Sequence, residues 1–185
     1  TERVGGDRGE EVLRRVLLIA ALVLAAVQAA AAGFPPAYKP SVIEPKGAPD
    51  AYEFDLTAAL VRAKAEKKRL YIYLGANDCP FCRKYEAFLE VNSGALSSHF
   101  AKDYLVYDLR STLKAQGDRL RFRIGNQSWP YKEFMTSLGD ERARQLVYPS
   151  VWLLGGDGKP LMQMPAGTGT FETVAEQLEI LRLEQ

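Results

Sequence analysis

The stretch Leu70-Tyr-Ile-Tyr-Leu-Gly-Ala-Asn-Asp-Cys-Pro-Phe-Cys82 joins a short apolar run to two cysteines that are separated by two residues. Residues 70–74 are apolar and rich in aromatic side chains, and residues 75–78 are typical of a turn, so a buried strand and then a loop are predicted. Pro80 suits the first turn of a helix because its φ is fixed. The following apolar residues share one helical face: Cys82, Tyr85, Phe88 and Leu89. Cys79 is therefore expected at a helix N-terminus.

This position suits Cys79 to nucleophilic chemistry. Unpaired backbone N–H groups and the helix dipole favour negative charge at a helix N-terminus, so a thiolate is stabilised there. Cys82, one helical turn later, is placed to attack a mixed disulfide formed on Cys79 and to release the partner. We expect Cys79 to be the nucleophile and Cys82 to be the resolving thiol of a redox couple.

Two other uses of the pair have to be weighed. A zinc site needs about four ligands, and the chain offers only His99 as a further thiol or imidazole, so no metal and no cofactor are expected. A structural disulfide is the other alternative, although it would close a very small loop and constrain few residues. Spacing alone leaves that alternative open.

The N-terminal residues have the pattern of an export signal. Arg14 and Arg15 precede an uninterrupted apolar run, which ends in a tract of small residues at 28–33. This order is typical of a secretory signal peptide, and we expect residues 1–32 to be removed by cleavage after Ala30 or Ala32. The alternative is an uncleaved anchor, because 16–32 is just long enough for the roughly 17–25 residues that span a bilayer. Membrane contact is expected only through this segment, and the periplasm, where disulfides persist, is the expected location.

Composition narrows the class of protein. The 185 residues are 47% hydrophobic, which fits one globular domain with extensions. Because 24 Lys and Arg residues are balanced by 23 Asp and Glu residues, no field favours nucleic acid as a partner. Five prolines between residues 33 and 49 predict a linker over 33–52, or an arm lying on the domain, which would then cover 53–185.

Further elements follow from periodicity and turn residues. Asp55 is a candidate N-cap for a helix over about 55–67, and 104–107 has the composition of a strand. Glycines at 155–158 separate two apolar runs, 151–154 and 161–164, which predicts a β-hairpin before an amphipathic helix over 171–183. Between them, Leu120, Phe122 and Ile124 alternate as in a half-buried strand, and 131–146 is predicted to be helical with an interruption near Gly139.

The order of these elements, with Cys79-Pro-Phe-Cys82 on a helix and Val147-Tyr-Pro-Ser150 entering the hairpin, resembles the thioredoxin superfamily over roughly residues 55–185. The resemblance implies a three-layer α/β/α fold with a central mixed sheet, an N-terminal helical extension, and an insertion at about 110–146 before the cis-proline strand. It also implies a cis Tyr148–Pro149 bond beside the cysteines. The residues that it implies for substrate binding are Tyr148, Pro149, Pro80 and Phe81.

Two positions depart from that family. Thioredoxins carry an acid six residues before the first cysteine, which assists proton transfer, and here that residue is Tyr73. In that family a tryptophan usually precedes the motif. Here the residue is Asp78, whose negative charge would oppose a thiolate on Cys79.

The helix before the first core strand is similar to exported thioredoxin-like proteins related to the thiol reductases of the bacterial periplasm. The resemblance therefore implies thiol–disulfide exchange with cysteine-containing substrate proteins outside the cytoplasm, and a redox partner protein at the membrane. We expect a reductase, because Pro80 and Phe81 provide no histidine of the kind found between the cysteines of DsbA-type oxidants. A DsbA-like oxidant, or a non-catalytic binding or chaperone module with a structural disulfide, are the alternatives.

Overall fold

The computed structural model describes residues 33–48, 51–139, 146–165 and 172–182. The predicted signal peptide, residues 1–32, lies outside these ranges, as does the 140–145 part of the predicted helix 131–146. Among the described helices, none combines the length and the apolar character needed to cross a membrane.

The described chain forms nine strands and five α-helices. The strands are β1 Ser41–Ile43, β2 Lys46–Ala48, β3 Ala51–Asp55, β4 Arg69–Ala76, β5 Tyr104–Ser111, β6 Leu120–Ile124, β7 Gln127–Pro130, β8 Ser150–Leu154 and β9 Pro160–Pro165. The helices are α1 Thr57–Glu66, α2 Pro80–Val91, α3 Ser93–Asp103, α4 Tyr131–Ser137 and α5 Val174–Arg182, with short 3-10 helices at Pro36–Tyr38 and Gly117–Arg119.

β4 is the middle strand of a five-stranded mixed sheet with the order β1-β5-β4-β8-β9. It runs parallel to β5 and antiparallel to β8, and residues 70–74 have no exposed surface, which confirms the predicted buried strand. β5 is longer than the predicted 104–107, because it pairs with β4 as far as Ser111. The predicted hairpin is confirmed as β8 and β9.

Separate apolar clusters cover the two faces of this sheet. Tyr71 and Tyr73 of β4 pack with residues of α2, α3 and α5 on one face. Leu70 and Ile72 pack on the other face with Trp152 and with residues of α1, β3, β6 and α4. The three-layer α/β/α fold with a central mixed sheet is therefore confirmed, and α1 is the helix that precedes β4, its middle strand.

A second sheet, with the order β2-β3-β6-β7, is not predicted by the sequence patterns. β3 pairs in parallel with β6, so that Phe54 lies beside Phe122, and the predicted strand at 120–124 is confirmed as β6. Residues 110–146 thus supply two strands of this sheet together with α4.

The expected start of the first helix is wrong by two residues. Asp55 ends β3, and α1 begins at Thr57 with Leu56 in the N-cap position. The Asp55 carboxylate nevertheless accepts a hydrogen bond from the backbone N–H of Thr57 at 3.0 Å. Asp55 therefore helps to start the helix although it is the last residue of a strand. A local helical pattern does not distinguish this position from an N-cap.

Residues 33–48 of the proline-rich segment form an arm on the domain. The prediction of a linker over 33–52 therefore does not hold for these residues. Phe34 and Tyr38 are buried, and the Phe34 ring packs edge-on against Tyr73 with 5.4 Å between centroids. The Tyr38 hydroxyl donates to the carbonyl of Leu89 at 2.8 Å, and β1 pairs with β5. Because these aromatic side chains enter the core, the arm is part of the domain.

We expect Phe34→Ala to lower the free energy of unfolding by about 3–5 kcal/mol, because it removes a buried ring from a packed core. Urea unfolding of the purified protein measures this change. Val42→Ala is the matched control, since Val42 lies in the same arm and is 54% exposed. Equal, small effects of the two substitutions would contradict the assignment of the arm to the core.

Candidate active site

The two cysteines lie where β4 gives way to α2. The backbone N–H of Cys79 donates to the carbonyl of Ala76, which turns the chain out of the strand, and Pro80 occupies the first turn of the helix. Cys79 is the N-cap, and its sulfur accepts a hydrogen bond from the backbone N–H of Cys82 at 3.1 Å. Both cysteines are free thiols and both are buried. The geometry thus brings the two predicted redox residues together on the first helical turn.

Cys82 has the more enclosed environment of the pair. It has no exposed surface, and its sulfur accepts a hydrogen bond from the backbone N–H of Ala76 at 3.4 Å. Burial, followed by the hydrogen bond to Cys79, raises the pKa of Cys82 to about 12. Cys82 is therefore protonated at neutral pH, which suits a thiol that reacts second.

A cavity of about 950 Å³ opens at Cys79. Three of the four residues expected to bind substrate, Pro80, Phe81 and Tyr148, lie on its wall. Pro149, the fourth, is buried and is not a wall residue, and the Tyr148–Pro149 peptide bond is cis. Other wall residues were not predicted and include Leu113, Tyr131 and Val147.

The wall carries exposed apolar side chains, which are otherwise rare among the described residues. Phe81 is 55% exposed, Leu113 is 49% exposed and Val147 is 39% exposed. A cluster of such residues beside a reactive group is typical of a surface that binds another molecule.

Tyr148 covers the cysteine pair from the side of the cavity. Its ring packs against the cluster formed by Ala76, Cys79 and Cys82, and its hydroxyl donates to Ser111 at 2.9 Å. Burial holds the pKa of Tyr148 well above its usual value, so the hydroxyl stays neutral. Ser111, which sequence reasoning missed, therefore fixes the orientation of this ring.

Asp78 has a structural contact that its sequence position did not reveal. Its side chain accepts a hydrogen bond from the backbone N–H of Leu113 at 2.8 Å, while the N–H of Asn77 donates to the carbonyl of Ser111 at 3.0 Å. These two bonds fasten the loop before the cysteines to the end of β5.

Charged side chains lie beneath the motif, with Glu86 and Asp108 buried among them, and they too were missed. The Glu86 carboxylate accepts hydrogen bonds from Tyr73 at 2.8 Å, from Arg110 at 2.7 Å and from Arg83 at 3.0 Å. Arg110 also pairs with Asp108 at 2.8 Å. One sequence pattern could have indicated Glu86, since it follows Cys82 by four residues and so shares the inner face of α2.

Gly75 makes room for this cluster. A Cβ atom at position 75 would lie 2.6 Å from a guanidinium nitrogen of Arg110 and 2.8 Å from the ring of Tyr73. The absence of a side chain lets the Arg110 guanidinium lie over the Tyr73 ring, at 5.1 Å from its centroid. Among the described residues, no group of three or more His, Cys, Asp or Glu side chains is arranged to hold a metal ion.

Comparison with known families identifies the fold and its relatives. A sequence model described as a thioredoxin-like domain matches residues 56–181, which include both cysteines and Pro149. The chain belongs to the thioredoxin-like family. The chemistry that the paired thiols share with this family is thiol–disulfide exchange. A search of curated proteins found no match.

Solved structures of thioredoxin fold also align with the chain. A thioredoxin-fold protein from Helicobacter pylori is 18% identical, with 63% of this chain and 68% of that chain covered and a TM-score of 0.41. A disulphide isomerase from Xylella fastidiosa is 22% identical, with 57% and 67% covered and a TM-score of 0.36. An exposed lipoprotein thioredoxin from Streptococcus pneumoniae is 15% identical, with 67% and 89% covered and a TM-score of 0.39.

We expect iodoacetamide to label Cys79 of the reduced protein at neutral pH and to leave Cys82 unlabelled. Cys79 opens onto the cavity, whereas Cys82 is enclosed and protonated. Peptide mapping by mass spectrometry after short exposure measures the two labels. A denatured sample, in which both cysteines react, is the control, and preferential labelling of Cys82 in the folded protein would contradict the assignment.

Proposed function

We propose that this chain reduces disulfide bonds of proteins outside the cytoplasm through the Cys79–Cys82 couple. The thiolate of Cys79 attacks one sulfur of a substrate disulfide, so that a mixed disulfide forms and the other substrate sulfur leaves as a thiol. Cys82 then attacks the sulfur of Cys79 and releases the second substrate thiol. Two electrons pass from the pair to the substrate, and the pair is left as a disulfide.

One observation carries the proposal: the two thiols are adjacent on the first turn of α2. The hydrogen bond from the Cys82 backbone to the Cys79 sulfur, at 3.1 Å, holds the residues in the positions that successive attack requires. The second step is then intramolecular, which favours it strongly over attack by an outside thiol. A purely structural disulfide would need neither a cavity at Cys79 nor a helix N-terminus.

The direction of electron flow follows from what stabilises the reduced pair. Strong oxidants of this superfamily are oxidising because their reduced form is unusually stable. Pro80 and Phe81, between the cysteines, carry no charge and provide no cation that would stabilise a thiolate on Cys79. This supports a reducing couple.

The cavity supports a protein substrate. The exposed side chains of Phe81, Leu113 and Val147 provide apolar contacts beside the nucleophile, and Lys132 and Glu133 lie at the same cavity. We infer that the substrate presents its disulfide on a polypeptide segment with apolar side chains next to the cysteine.

The sequence of residues 1–32 supports export to the periplasm, by a cleaved signal peptide or an uncleaved anchor. Disulfides persist in that compartment, so a reductase there needs a steady supply of electrons. A redox partner protein at the membrane would re-reduce the Cys79–Cys82 disulfide after each cycle.

We expect the mature chain to accelerate the reduction of insulin by dithiothreitol and Cys79→Ser to abolish this acceleration. Turbidity from the released insulin B chain measures the rate. Cys82→Ser should also lose turnover, and the reduced variant, freed of dithiothreitol and then mixed with insulin, should accumulate a mixed disulfide because its second step is missing. This trapped species is detectable on a non-reducing gel.

Equal rates for the parent protein and Cys79→Ser would contradict the enzymatic proposal and favour a binding or chaperone module. Efficient oxidation of a reduced, unfolded substrate, without reduction of insulin, would instead favour the DsbA-like alternative.

A further inference from the structure

The cavity at Cys79 extends well beyond the cysteine motif. Residues 79–81 form one part of its wall, and residues 146–148 form another. Most of the remaining wall comes from two parts of the 110–146 insertion, within 113–118 and 130–133. A substrate that fills this cavity therefore touches the insertion as well as the motif.

The substrate has to enter the cavity to react. Cys79 is only 2% exposed, so it cannot be reached by a sulfur that stays on the outer surface. The attacking sulfur has to align with the disulfide bond that breaks, which brings the residues beside the substrate cysteine into the cavity as well. A volume of about 950 Å³ is near the upper end of the roughly 300–1,000 Å³ of pockets for small ligands, so it has room for these side chains.

Leu113 is fixed at this cavity by the backbone on both sides of it. Its N–H donates to the Asp78 carboxylate at 2.8 Å, and the N–H of Ala115 donates to the carbonyl of Thr112 at 3.0 Å. Ala115 is buried, yet the Leu113 side chain between these contacts remains 49% exposed. An apolar side chain that is held in water beside a reactive thiol is typical of a contact surface.

The character of the surrounding wall favours an apolar substrate residue. Exposed apolar side chains of Phe81 and Val147 lie at the same cavity as Leu113. The charged residues of the wall are of mixed sign, so they favour neither an acidic nor a basic segment; they are Asp118, Lys132 and Glu133.

We propose that Leu113 is a specificity-determining residue, which selects disulfides that have a bulky apolar side chain next to the reactive cysteine. As the Cys79 sulfur bonds to the substrate sulfur and the substrate S–S bond breaks, that side chain packs against Leu113 and Val147 and leaves water. The contact contributes to binding and does not alter the exchange reaction. The proposal rests on the proposed function and names the residue of the insertion that distinguishes one substrate from another.

Two disulfide-linked peptides with the same fluorophore and quencher test the selection. In one peptide leucine flanks the reactive cysteine on both sides, and in the other serine does. Stopped-flow fluorescence of the reduced protein with excess peptide gives the half-saturating concentration and the plateau rate. Each rate is divided by the rate of the same peptide with dithiothreitol, which removes differences in the reactivity of the disulfides themselves.

We expect the parent protein to prefer the leucine peptide about tenfold, at the lower end of what one apolar contact contributes to discrimination. The preference should lie in the half-saturating concentration, and Leu113→Ser should reduce it to about threefold or less. Val91→Ser is the matched control, because Val91 is an apolar residue of α2 that is 84% exposed and is not part of the cavity wall. This variant should keep the tenfold preference.

Equal constants for the two peptides in the parent protein would overturn the proposal, as would a full preference in Leu113→Ser. If Leu113→Ser lowers the melting temperature, Val147→Ser removes the neighbouring apolar side chain and should reduce the preference in the same way. A parent protein that reduces neither peptide would instead defeat the proposed function itself.

Discussion

The hydrogen bond from the backbone of Cys82 to the sulfur of Cys79 is the contact on which the site depends. It exists because β4 ends in a turn closed by Ala76 and because Pro80 starts α2 directly after Cys79. The same geometry opens Cys79 to the cavity and encloses Cys82 against the end of β4. One short turn therefore makes two chemically similar residues unequal.

The charge cluster beneath the turn adds a second constraint. Buried ion pairs seldom add to stability, since removing charges from water costs several kcal/mol for each ion, and their retention often has another reason. In this chain, Glu86 and Arg110 connect the inner face of α2 to β5 and fill the space left by the missing side chain of Gly75. The cluster therefore ties α2, which begins at the cysteine motif, to the sheet beneath it.

Local sequence patterns were sufficient for the elements that carry the cysteines. The apolar run at 70–74, the proline after Cys79 and the glycines at 155–158 each act over a few residues, and the corresponding strand, helix and hairpin are present. The second sheet could not be predicted in this way, because Phe54 of β3 pairs beside Phe122 of β6, far away in the sequence. The charge cluster was missed for a similar reason. In the sequence, Asp108 and Arg110 interrupt an apolar run, which is the pattern expected where a strand ends. Only their buried partners show that the strand continues.

The central claim is the direction of electron transfer, and one measured quantity, the reduction potential, tests it. Equilibration of the purified protein with glutathione redox buffers gives the reduction potential of the Cys79–Cys82 couple. The proposed reductase predicts a value nearer to about −270 mV, as in thioredoxin, than to about −120 mV, as in strong oxidants. A potential close to −120 mV would contradict the account, as would a pair that forms no reversible disulfide.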